Sequence, residues 1–465
     1  MIKNAKDSLV ECVTAAGEPM EGRLLRLGRF DAVFEVPGGF DRLRASEALG
    51  SLKIISGARL LYEGRATVRK LVDAEAGQVC EVALSEAGVN LEMLPSPDAE
   101  SYETFTQQWL AAYRIAPEFK LVVADAGILL NNVRQWMNQL ELAIRAAHPQ
   151  HAPQKERECL ARVTPRFFAA FDAQLERFEE QSSRLSPDLR GAHQNHAARE
   201  WSSFFLAAPF GHRTFYKPLG YAGDYEMMDM IYRNGPEGGS LFAKTMHLLL
   251  MKGWPAESVR NRIGHLRELL VSETARAVRS GRRSRILNLG CGPAREVQEF
   301  MDQSALSDEA DFTLLDFNDE TIRFTGGKLH EAKRRAGRRT GLVLRQMNVH
   351  QILRAALAQQ SAGAPLETYD LIYCAGLFDY LADTTCKALV KLFCHWLAPG
   401  GLTVVANMND SKPFRNFIEF LLDWHLIYRD TRAMWAMCPA EFAPQAAVLT
   451  EPTTVNLFLN VRRPE

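Results

Sequence analysis

The sequence lacks an excess of charge of one sign, closely spaced cysteine pairs and long apolar runs. Its 465 residues carry a formal net charge of −1, which gives no global electrostatic reason to expect a nucleic-acid or membrane-surface partner. The eight cysteines include no CxxC pair, which disfavours a zinc ribbon or disulfide framework and suits a reducing compartment. No uncharged apolar run reaches the ~18 residues of a membrane span, and MIKNAKDSLVECV has no signal-peptide core. We expect a cytoplasmic protein without a membrane span or metal site.

The composition is that of an ordinary globular protein, and the length predicts about two to four domains. Residues 1–92 contain short β-rich runs such as GRLLRLGRFDAVFEV and RLLYEGRATVRKLV, separated by Gly, Pro, Asp and Ser turn signals. This pattern predicts a small β-barrel or sandwich. The stretch LPSPDA at 94–99 resembles a linker to the next unit.

Residues 100–280 are predicted to form a helical domain, because apolar residues recur there at three- and four-residue spacing. Between 205 and 240 the periodicity loosens into a segment rich in Gly, Pro and aromatic residues, which predicts loops. This segment includes HRTFYKPLGYAGDYE, and aromatic and charged side chains in a Gly-rich loop are typical of a binding site. The alternative is an interdomain turn whose tyrosines pack on the helices.

Over residues 281–465 strand-like runs alternate with helical stretches. The strand-like runs are SRILNLG, DFTLLDF, LVLRQMN, YDLIYCAG and GLTVVANM. This alternation predicts βαβ units and a parallel sheet, and the tail AAVLTEPTTVNLFLNVRR predicts a closing antiparallel pair. We therefore expect an α/β, Rossmann-like domain with a seven-stranded sheet, preceded by the helical domain and the small N-terminal β-barrel.

The turn after the first of these strands carries the clearest chemical signal. In RILNLGCGPAREVQEF a strand continues into Gly290, Cys291 and Gly292 and then into a helix, so the backbone can turn tightly and present free N–H groups to a ligand. The next strand ends at Asp316, 26 residues after Gly290, where a carboxylate can accept both ribose hydroxyls of an adenosine. The third glycine of a dinucleotide fingerprint, G-x-G-x-x-G, is missing.

The motif NLGCGPA at 288–294 resembles the first motif of class I S-adenosylmethionine-dependent methyltransferases, acidic-x-Gly-x-Gly-x-Gly. Asn stands in place of the acid and Ala in place of the third Gly. The later strands and the LAPGG turn at 397–401 resemble further motifs of the family in the same order. The resemblance covers 283–465 and implies a Rossmann-like fold with S-adenosylmethionine as cofactor. The implied cofactor-binding residues are Asn288, Gly290, Cys291, Gly292, Asp316, Phe317, Asn348, Val349, Cys374, Ala375 and Gly376.

The same resemblance implies that Asp316 holds the ribose, that Asn348 lies beside the adenine, and that Cys374 and its two successors line the methionine side. After YDLIYCAG the sequence reads LFDY instead of an N/D-P-P-Y/F-like motif, which disfavours methylation of DNA bases. No basic stripe with interleaved aromatics points to RNA. Arg260 and Arg262, on a helix just before the sheet, are further candidates, and the alternative for both is a solvated helix face.

The stretches KPLGYAGDYEMMDMIY, VRNRIGHL and FLLDWHLIYRD together resemble a narrower family, the bacterial 3-hydroxy fatty acid methyl ester synthases of quorum sensing. That resemblance implies methyl transfer to the carboxylate of a 3-hydroxy fatty acid such as 3-hydroxypalmitate, with Arg213, Tyr221 or Tyr428 clamping the carboxyl group. A carboxylate is already anionic at pH 7 and needs a clamp rather than a general base. An O- or N-methyltransferase for another small metabolite would need a base, for which His212 and His425 are candidates.

Members of the narrower family begin with a PilZ-like β domain, and here that match is degenerate. A cyclic di-GMP site needs an R-x-x-x-R pair and a D/N-x-S-x-x-G loop. This chain has Arg23, Arg26 and Arg29 at three-residue spacing, and Ser46 precedes Gly50 without the acid or amide two residues earlier. We predict a docking or dimerisation module and leave a homodimer open. A nucleotide-regulated signalling adaptor remains a third hypothesis for the whole chain.

Overall fold

The computed structural model describes residues 8–15, 17–28, 30–37, 43–56, 59–74, 77–85, 110, 114–147, 149–362, 367–410 and 414–465. The predicted linker at 94–99 lies outside these ranges. None of the helices within them combines the length and apolar character needed to cross a membrane. The same ranges contain no group of three or more His, Cys, Asp or Glu side chains that could hold a metal ion.

Six antiparallel strands close into a barrel at the start of the described chain. The strand order is β1-β2-β3-β6-β5-β4, and β4 pairs with β1 to complete the closure. Buried and exposed residues alternate along β2 and β3, as expected where every second side chain faces a barrel interior. The strand β1, which none of the predicted β-rich runs included, makes the closure possible. The strands are β1 (Ser8–Val13), β2 (Pro19–Leu27), β3 (Asp31–Pro37), β4 (Ala48–Ser56), β5 (Arg59–Ala74) and β6 (Gly77–Leu84).

In the described part of the chain, seven helices follow the barrel and contribute to an aromatic core. Trp201 is fully buried there, with its ring centroid 5.0 Å from that of Phe178 and 6.4 Å from that of Phe171. The Trp201 indole nitrogen donates a hydrogen bond to the Val123 carbonyl at 2.9 Å, so its polar end is satisfied inside the core. The helices are α1 (Pro117–Ala147), α2 (Ala152–Ser183), α3 (Pro187–Phe205), α4 (Pro209–Tyr216), α5 (Tyr225–Arg233), α6 (Leu241–Lys252) and α7 (Trp254–Arg279).

The segment 205–240 is more regular than its composition predicted. It contains α4 and α5, so irregular backbone is confined to residues 206–208, 217–224 and 234–240. Asp224 caps α5 by accepting a hydrogen bond from the Met227 N–H at 2.9 Å. The prediction of loops throughout the segment was wrong, because helices of two turns are too short to establish a clear apolar period.

The seven-stranded sheet confirms the predicted Rossmann-like α/β architecture. Its order is β12-β13-β11-β10-β7-β8-β9, with β7 to β11 parallel and β13 antiparallel to β11. The pairing of β12 with β13 is the predicted closing antiparallel pair. The strands are β7 (Ser284–Leu289), β8 (Ala310–Asp316), β9 (Gly341–Gln346), β10 (Tyr369–Ala375), β11 (Leu397–Met408), β12 (Ala446–Thr450) and β13 (Asn456–Arg462).

Helices and short 3-10 turns connect these strands. The helices are α8 (Arg295–Gln303), α9 (Asp319–Ala336), α10 (Val349–Ala362), α11 (Asp383–Trp396), α12 (Arg415–Leu421) and α13 (Thr431–Trp435). The 3-10 turns are Ala305–Glu309, Phe378–Tyr380 and Ala440–Gln445. Apolar side chains from both faces of the sheet pack beneath them.

The strand order creates a crevice between β7 and β10. Strands β8 and β9 are added on one side of β7, and the chain then crosses to the other side of β7 to form β10. In open parallel sheets, ligands bind outside the carboxyl ends of the strands at such a switch point. The glycine turn follows β7 and Gly376 follows β10, so the two predicted cofactor-binding turns border the same crevice.

Candidate functional site

The glycine turn has a backbone geometry that glycine favours. Gly290 and Gly292 have φ values of +69° and +48°, and the Gly290 N–H donates to the Leu315 carbonyl at 2.8 Å, which ties the turn to β8. A Cβ at Gly292 would have no described heavy atom within 4 Å, so this side of the turn is open. Ala294, in place of the third glycine, has φ +48°, a conformation that costs an L-residue about 1–2 kcal/mol.

Asp316 joins this turn to the end of β8. Its carboxylate is nearly buried, with 6% of the residue exposed. Oδ2 accepts a hydrogen bond from the Gly292 N–H at 3.2 Å, and Oδ1 accepts one from the Asn318 N–H at 3.1 Å. Burial raises the pKa of Asp316, and the two backbone donors and the Arg44 guanidinium oppose that rise. A carboxylate at this position can accept the hydroxyls of a ribose held against the open turn.

Asn288 supports the turn from beneath rather than facing open space. Its Nδ2 donates to Glu296 Oε1 at 3.2 Å, and the Tyr373 hydroxyl donates to the same oxygen at 2.7 Å. Both Asn288 and Glu296 are buried, and burial raises the pKa of Glu296. The three side chains anchor the first turn of α8 to β7 and β10. Glu296 lies inside the quoted motif, yet nothing in its spacing distinguished it from a surface glutamate.

Residues at the end of β10 face a buried arginine. Cys374 is fully buried, whereas Ala375 and Gly376 are partly exposed, and Gly376 has φ +111°. A Cβ at Gly376 would lie 3.2 Å from Arg262 Nη1, so the guanidinium packs against the glycine backbone. Arg262 is 5% exposed, which rules out the solvated helix face considered for it. Arg260, two residues away, instead donates to the Met251 carbonyl at 2.9 Å.

The remaining predicted cofactor residues occupy the ends of β8 and β9. The Phe317 ring lies 4.8 Å from the Tyr221 ring and 4.1 Å from the Arg44 guanidinium carbon. Asn348 caps α10, because its Oδ1 accepts from the Gln351 N–H at 2.8 Å. Val349 is 2% exposed and packs in the apolar cluster under the sheet. The Phe317 side chain therefore lies at the edge of the crevice beside Asp316, whereas Asn348 caps a helix and Val349 is buried under the sheet.

Arg213 and Tyr221 both lie close to this edge. Arg213 Nε is within 2.9 Å of both carboxylate oxygens of Asp224, a buried residue. Arg213 is therefore already paired, which weakens it as the first choice for an anion clamp. Burial raises the pKa of the Tyr221 hydroxyl well above its usual value, and the Asp316 charge raises it further. Tyr221 therefore stays protonated at neutral pH and remains able to donate a hydrogen bond.

His425 belongs to a buried charged cluster. Its Nε2 lies 2.9 Å from Asp423 Oδ1, and Lys217 Nζ lies 3.2 Å from Asp423 Oδ2. Burial alone would raise the pKa of Asp423, but Lys217 and His425 outweigh it and hold that pKa well below its usual range. A histidine oriented by a carboxylate has the arrangement of a general base. The same carboxylate also neutralises a buried lysine, which is the arrangement of a structural ion pair.

Tyr428 packs on the helical core rather than beside the glycine turn. Its hydroxyl has no hydrogen-bond partner among the described residues, and the Arg415 guanidinium lies 4.8 Å from its ring centroid. Burial raises the pKa of Tyr428. His212, the other histidine considered as a base, is exposed and lies 4.5 Å from the Tyr216 ring.

The site therefore combines an open glycine turn beside a buried carboxylate with two buried polar side chains nearby. Gly292 belongs to the turn and Asp316 supplies the carboxylate, Tyr221 offers a hydroxyl donor near it, and Arg262 offers a buried cation at the end of β10. Gly292 and Asp316 were both among the residues predicted from the sequence, and the structure brings them into contact. No sequence signal pointed to Arg44, which lies over the Phe317 ring, because Arg44 belongs to the β3–β4 connection and carries no motif.

The comparisons with known proteins give remote likenesses of fold. No protein-family model and no curated protein matches the sequence. Among solved structures, a "possible exported protein" from Bordetella parapertussis is similar over 64% of this chain and 97% of its own, with 16% identity and a TM-score of 0.43.

Two methyltransferases are similar over shorter stretches. The N-methyltransferase NodS from Bradyrhizobium japonicum WM9, in complex with S-adenosyl-L-homocysteine, is similar over 43% of this chain and 87% of its own, with 17% identity and a TM-score of 0.28. The magnesium protoporphyrin IX methyltransferase ChlM from Synechocystis PCC 6803, with bound S-adenosylhomocysteine, is similar over 50% of this chain and 93% of its own, with 10% identity and a TM-score of 0.33.

Proposed function

We propose that this chain is a cytoplasmic S-adenosylmethionine-dependent methyltransferase. The observation that supports it most directly is the contact between the Gly292 N–H and the Asp316 carboxylate across the ends of two neighbouring parallel strands. The open side of Gly292 leaves room for a ligand, and the buried carboxylate suits its ribose hydroxyls. Asn348 and Phe317 would border the adenine, and Gly376 the methionine end. When bound, S-adenosylmethionine supplies an electrophilic methyl group.

The acceptor we propose is the carboxylate of a 3-hydroxy fatty acid, which would become a methyl ester quorum-sensing signal. An ionised carboxylate accepts a methyl group without losing a proton, so the chain needs to hold it rather than deprotonate it. Arg262 is the favoured clamp, because it is buried against Gly376 at the end of β10, where its charge also acts on the buried Glu296 and Asp379 carboxyls. Arg213 lies further from that strand end in its direct pair with Asp224. Tyr221 supplies a protonated hydroxyl as a second donor.

An O- or N-methyltransferase for another small metabolite is the second candidate. The observation that favours it is the His425–Asp423 pair, because a neutral hydroxyl or amine acceptor requires a base. The two candidates differ in one testable respect. Replacing His425 by Asn should leave carboxylate methylation active and should abolish base-dependent methylation.

The first experiment is a calorimetric titration of the full chain with S-adenosylmethionine and S-adenosylhomocysteine. The same sample is then incubated with S-adenosylmethionine and free 3-hydroxy fatty acids of graded length, and the products are analysed by mass spectrometry. A gain of one methylene mass that alkaline hydrolysis removes supports the ester. Cofactor binding without any ester would exclude free fatty acids and direct the search to other acceptors. Absence of cofactor binding would overturn the methyltransferase proposal and favour a signalling adaptor.

A further inference from the structure

The connection between β3 and β4 of the barrel packs directly on the sheet domain. We call residues 44–48 the docking segment. The Ala45 N–H donates to the carbonyl of Tyr380, a residue just beyond β10, at 3.3 Å. The Ser46 hydroxyl donates to the His425 carbonyl at 2.7 Å and accepts from the His425 N–H. The barrel is thus held against the loops at the carboxyl edge of the sheet.

The docking segment also pairs with the loop that carries Tyr221. The Ala48 N–H donates to the Gly220 carbonyl at 2.7 Å, and Glu47 forms an isolated antiparallel bridge with Tyr221. Four of the five residues in the segment are buried, and only Arg44 is partly exposed. The segment therefore fixes the position of Tyr221 through the backbone, from a part of the chain far away in sequence.

Arg44 extends from this segment over the cofactor edge of the sheet. Its guanidinium carbon lies 4.1 Å from the centroid of the Phe317 ring, a cation–π distance. Its charge acts on the neighbouring Asp316 carboxylate and opposes the effect of burial on that group's pKa. Tyr221 lies against the same ring, with centroids 4.8 Å apart. Arg44, Phe317 and Tyr221 are therefore in mutual reach beside Asp316.

The backbone of Arg44 is itself restrained. Glu47 is 5% exposed, and its Oε2 accepts a hydrogen bond from the Arg44 N–H at 2.9 Å. The other oxygen, Oε1, accepts from the Ala15 N–H at 2.8 Å, which ties the segment to the β1–β2 connection of the barrel. A buried carboxylate that accepts two backbone donors holds the base of the Arg44 side chain in place.

We propose that the N-terminal barrel completes the cofactor site, with Arg44 as a cofactor-contacting residue at the adenosine end. This inference rests on the proposed function and goes beyond it, because it makes the barrel part of the binding site rather than a separate module. It predicts that cofactor binding and barrel docking stabilise each other. By linkage, a ligand that contacts both units stabilises their docking, and docking strengthens the binding of the ligand by the same free energy.

The test is a calorimetric titration of S-adenosylhomocysteine into the full chain and its Arg44→Ala variant. Loss of one cation over an aromatic ring and beside a buried carboxylate predicts roughly a three- to thirtyfold weaker affinity. Arg44→Lys keeps the charge and should recover part of the loss. The matched control is Arg23→Ala, because Arg23 is an exposed arginine of the same barrel and is paired with Glu35. The affinity of this variant for S-adenosylhomocysteine should stay within about twofold of that of the parent chain.

Two further readouts separate a contact from a folding defect. Hydrogen exchange at residues 43–48 should slow when S-adenosylhomocysteine binds the parent chain, and the Arg44→Ala and Phe317→Ala effects on affinity should be non-additive. Affinity of Arg44→Ala within twofold of the parent, or tighter binding, overturns the inference while leaving the proposed function standing. Failure of the parent chain to bind the ligand overturns both.

Discussion

Replacement of Asp316 tests the cofactor site at the group on which it depends most. Asp316→Asn keeps one oxygen, which can still accept a hydrogen bond from the Asn318 N–H, but it removes the negative charge. In that orientation the amide NH₂ group faces the Gly292 N–H, so a donor stands where the carboxylate had an acceptor. Hydrogen bonds to charged groups contribute about 1.5–3 kcal/mol and neutral ones about 0.5–1.5 kcal/mol. Weakening two ribose contacts in this way predicts a loss of about 2 kcal/mol, roughly thirtyfold in affinity.

Stability should change in the opposite direction from affinity. Because burial raises the pKa of Asp316 in the folded chain, its ionised form lowers the free energy of unfolding at neutral pH. The Asn variant lacks that penalty, so we expect its thermal midpoint to equal or exceed that of the parent. Active sites commonly show this opposition between function and stability.

The assay combines calorimetric titration with S-adenosylhomocysteine and thermal unfolding without ligand. Asp311→Asn is the matched control, because Asp311 lies near the start of the same strand and pairs with Arg283 at the surface. An Asp316→Asn chain that binds S-adenosylhomocysteine within about twofold of the parent would refute the assignment of this carboxylate to the ribose. A lowered thermal midpoint would instead refute the argument from burial.

Three further predictions concern the surroundings of the site. Gly223→Ala should lower the free energy of unfolding in urea by at least about 1–2 kcal/mol, since φ is +81° and the new Cβ would overlap the Tyr380 hydroxyl. Its control is Gly264→Ala, in an open helical position, which should raise the free energy of unfolding by about 0.5–1 kcal/mol. Burial raises the pKa of Asp379 to about 6. The protonated carboxyl therefore stabilises the folded chain fully below pH ~4, and this contribution is lost as pH rises through 6. Relative to Asp379→Asn, the parent should lose about 2–3 kcal/mol between pH 4 and 7, and equal pH profiles would contradict this. Arg262→Gln should raise the KM for a carboxylate acceptor at least tenfold, as measured by initial rates, and an unchanged KM would exclude Arg262 as the clamp.

The strands of the sheet were predictable because their signals are local. Each predicted run, such as SRILNLG or DFTLLDF, is short and rich in apolar residues, and each overlaps an observed strand. The glycine turn was predictable for the same reason, since a strand, two glycines and a helix follow one another without interruption. The short helices α4 and α5 escaped because their order depends on caps and packing rather than on a repeated period.

The docking of the barrel had no local signal. Ser46 and His425 are 379 positions apart, and their reciprocal hydrogen bonds use the backbone of His425 rather than its side chain. In the sequence, Ser46 was notable only as part of an incomplete PilZ-like loop. Its hydroxyl now has a physical role, since it satisfies both backbone polar groups of one buried residue, His425. A serine that serves a distant backbone gives no pattern that periodicity or spacing can detect.

The acceptor side shows why a list of charged residues cannot identify a clamp. Arg213 stood in the segment with the highest density of aromatic and charged residues, yet a buried aspartate already pairs with its guanidinium. Arg262 stood on an ordinary amphipathic helix, yet the fold buries it against Gly376. The Arg262 charge also acts on two buried carboxyls, because it opposes the rise that burial gives to the pKa of Glu296 and of Asp379. Sequence spacing tells which arginines are near the sheet, but it cannot tell which of them the fold buries at the end of β10. The residue to substitute first is therefore the one that the fold buries beside the predicted methionine end, and its effect on acceptor KM decides whether the acceptor is anionic.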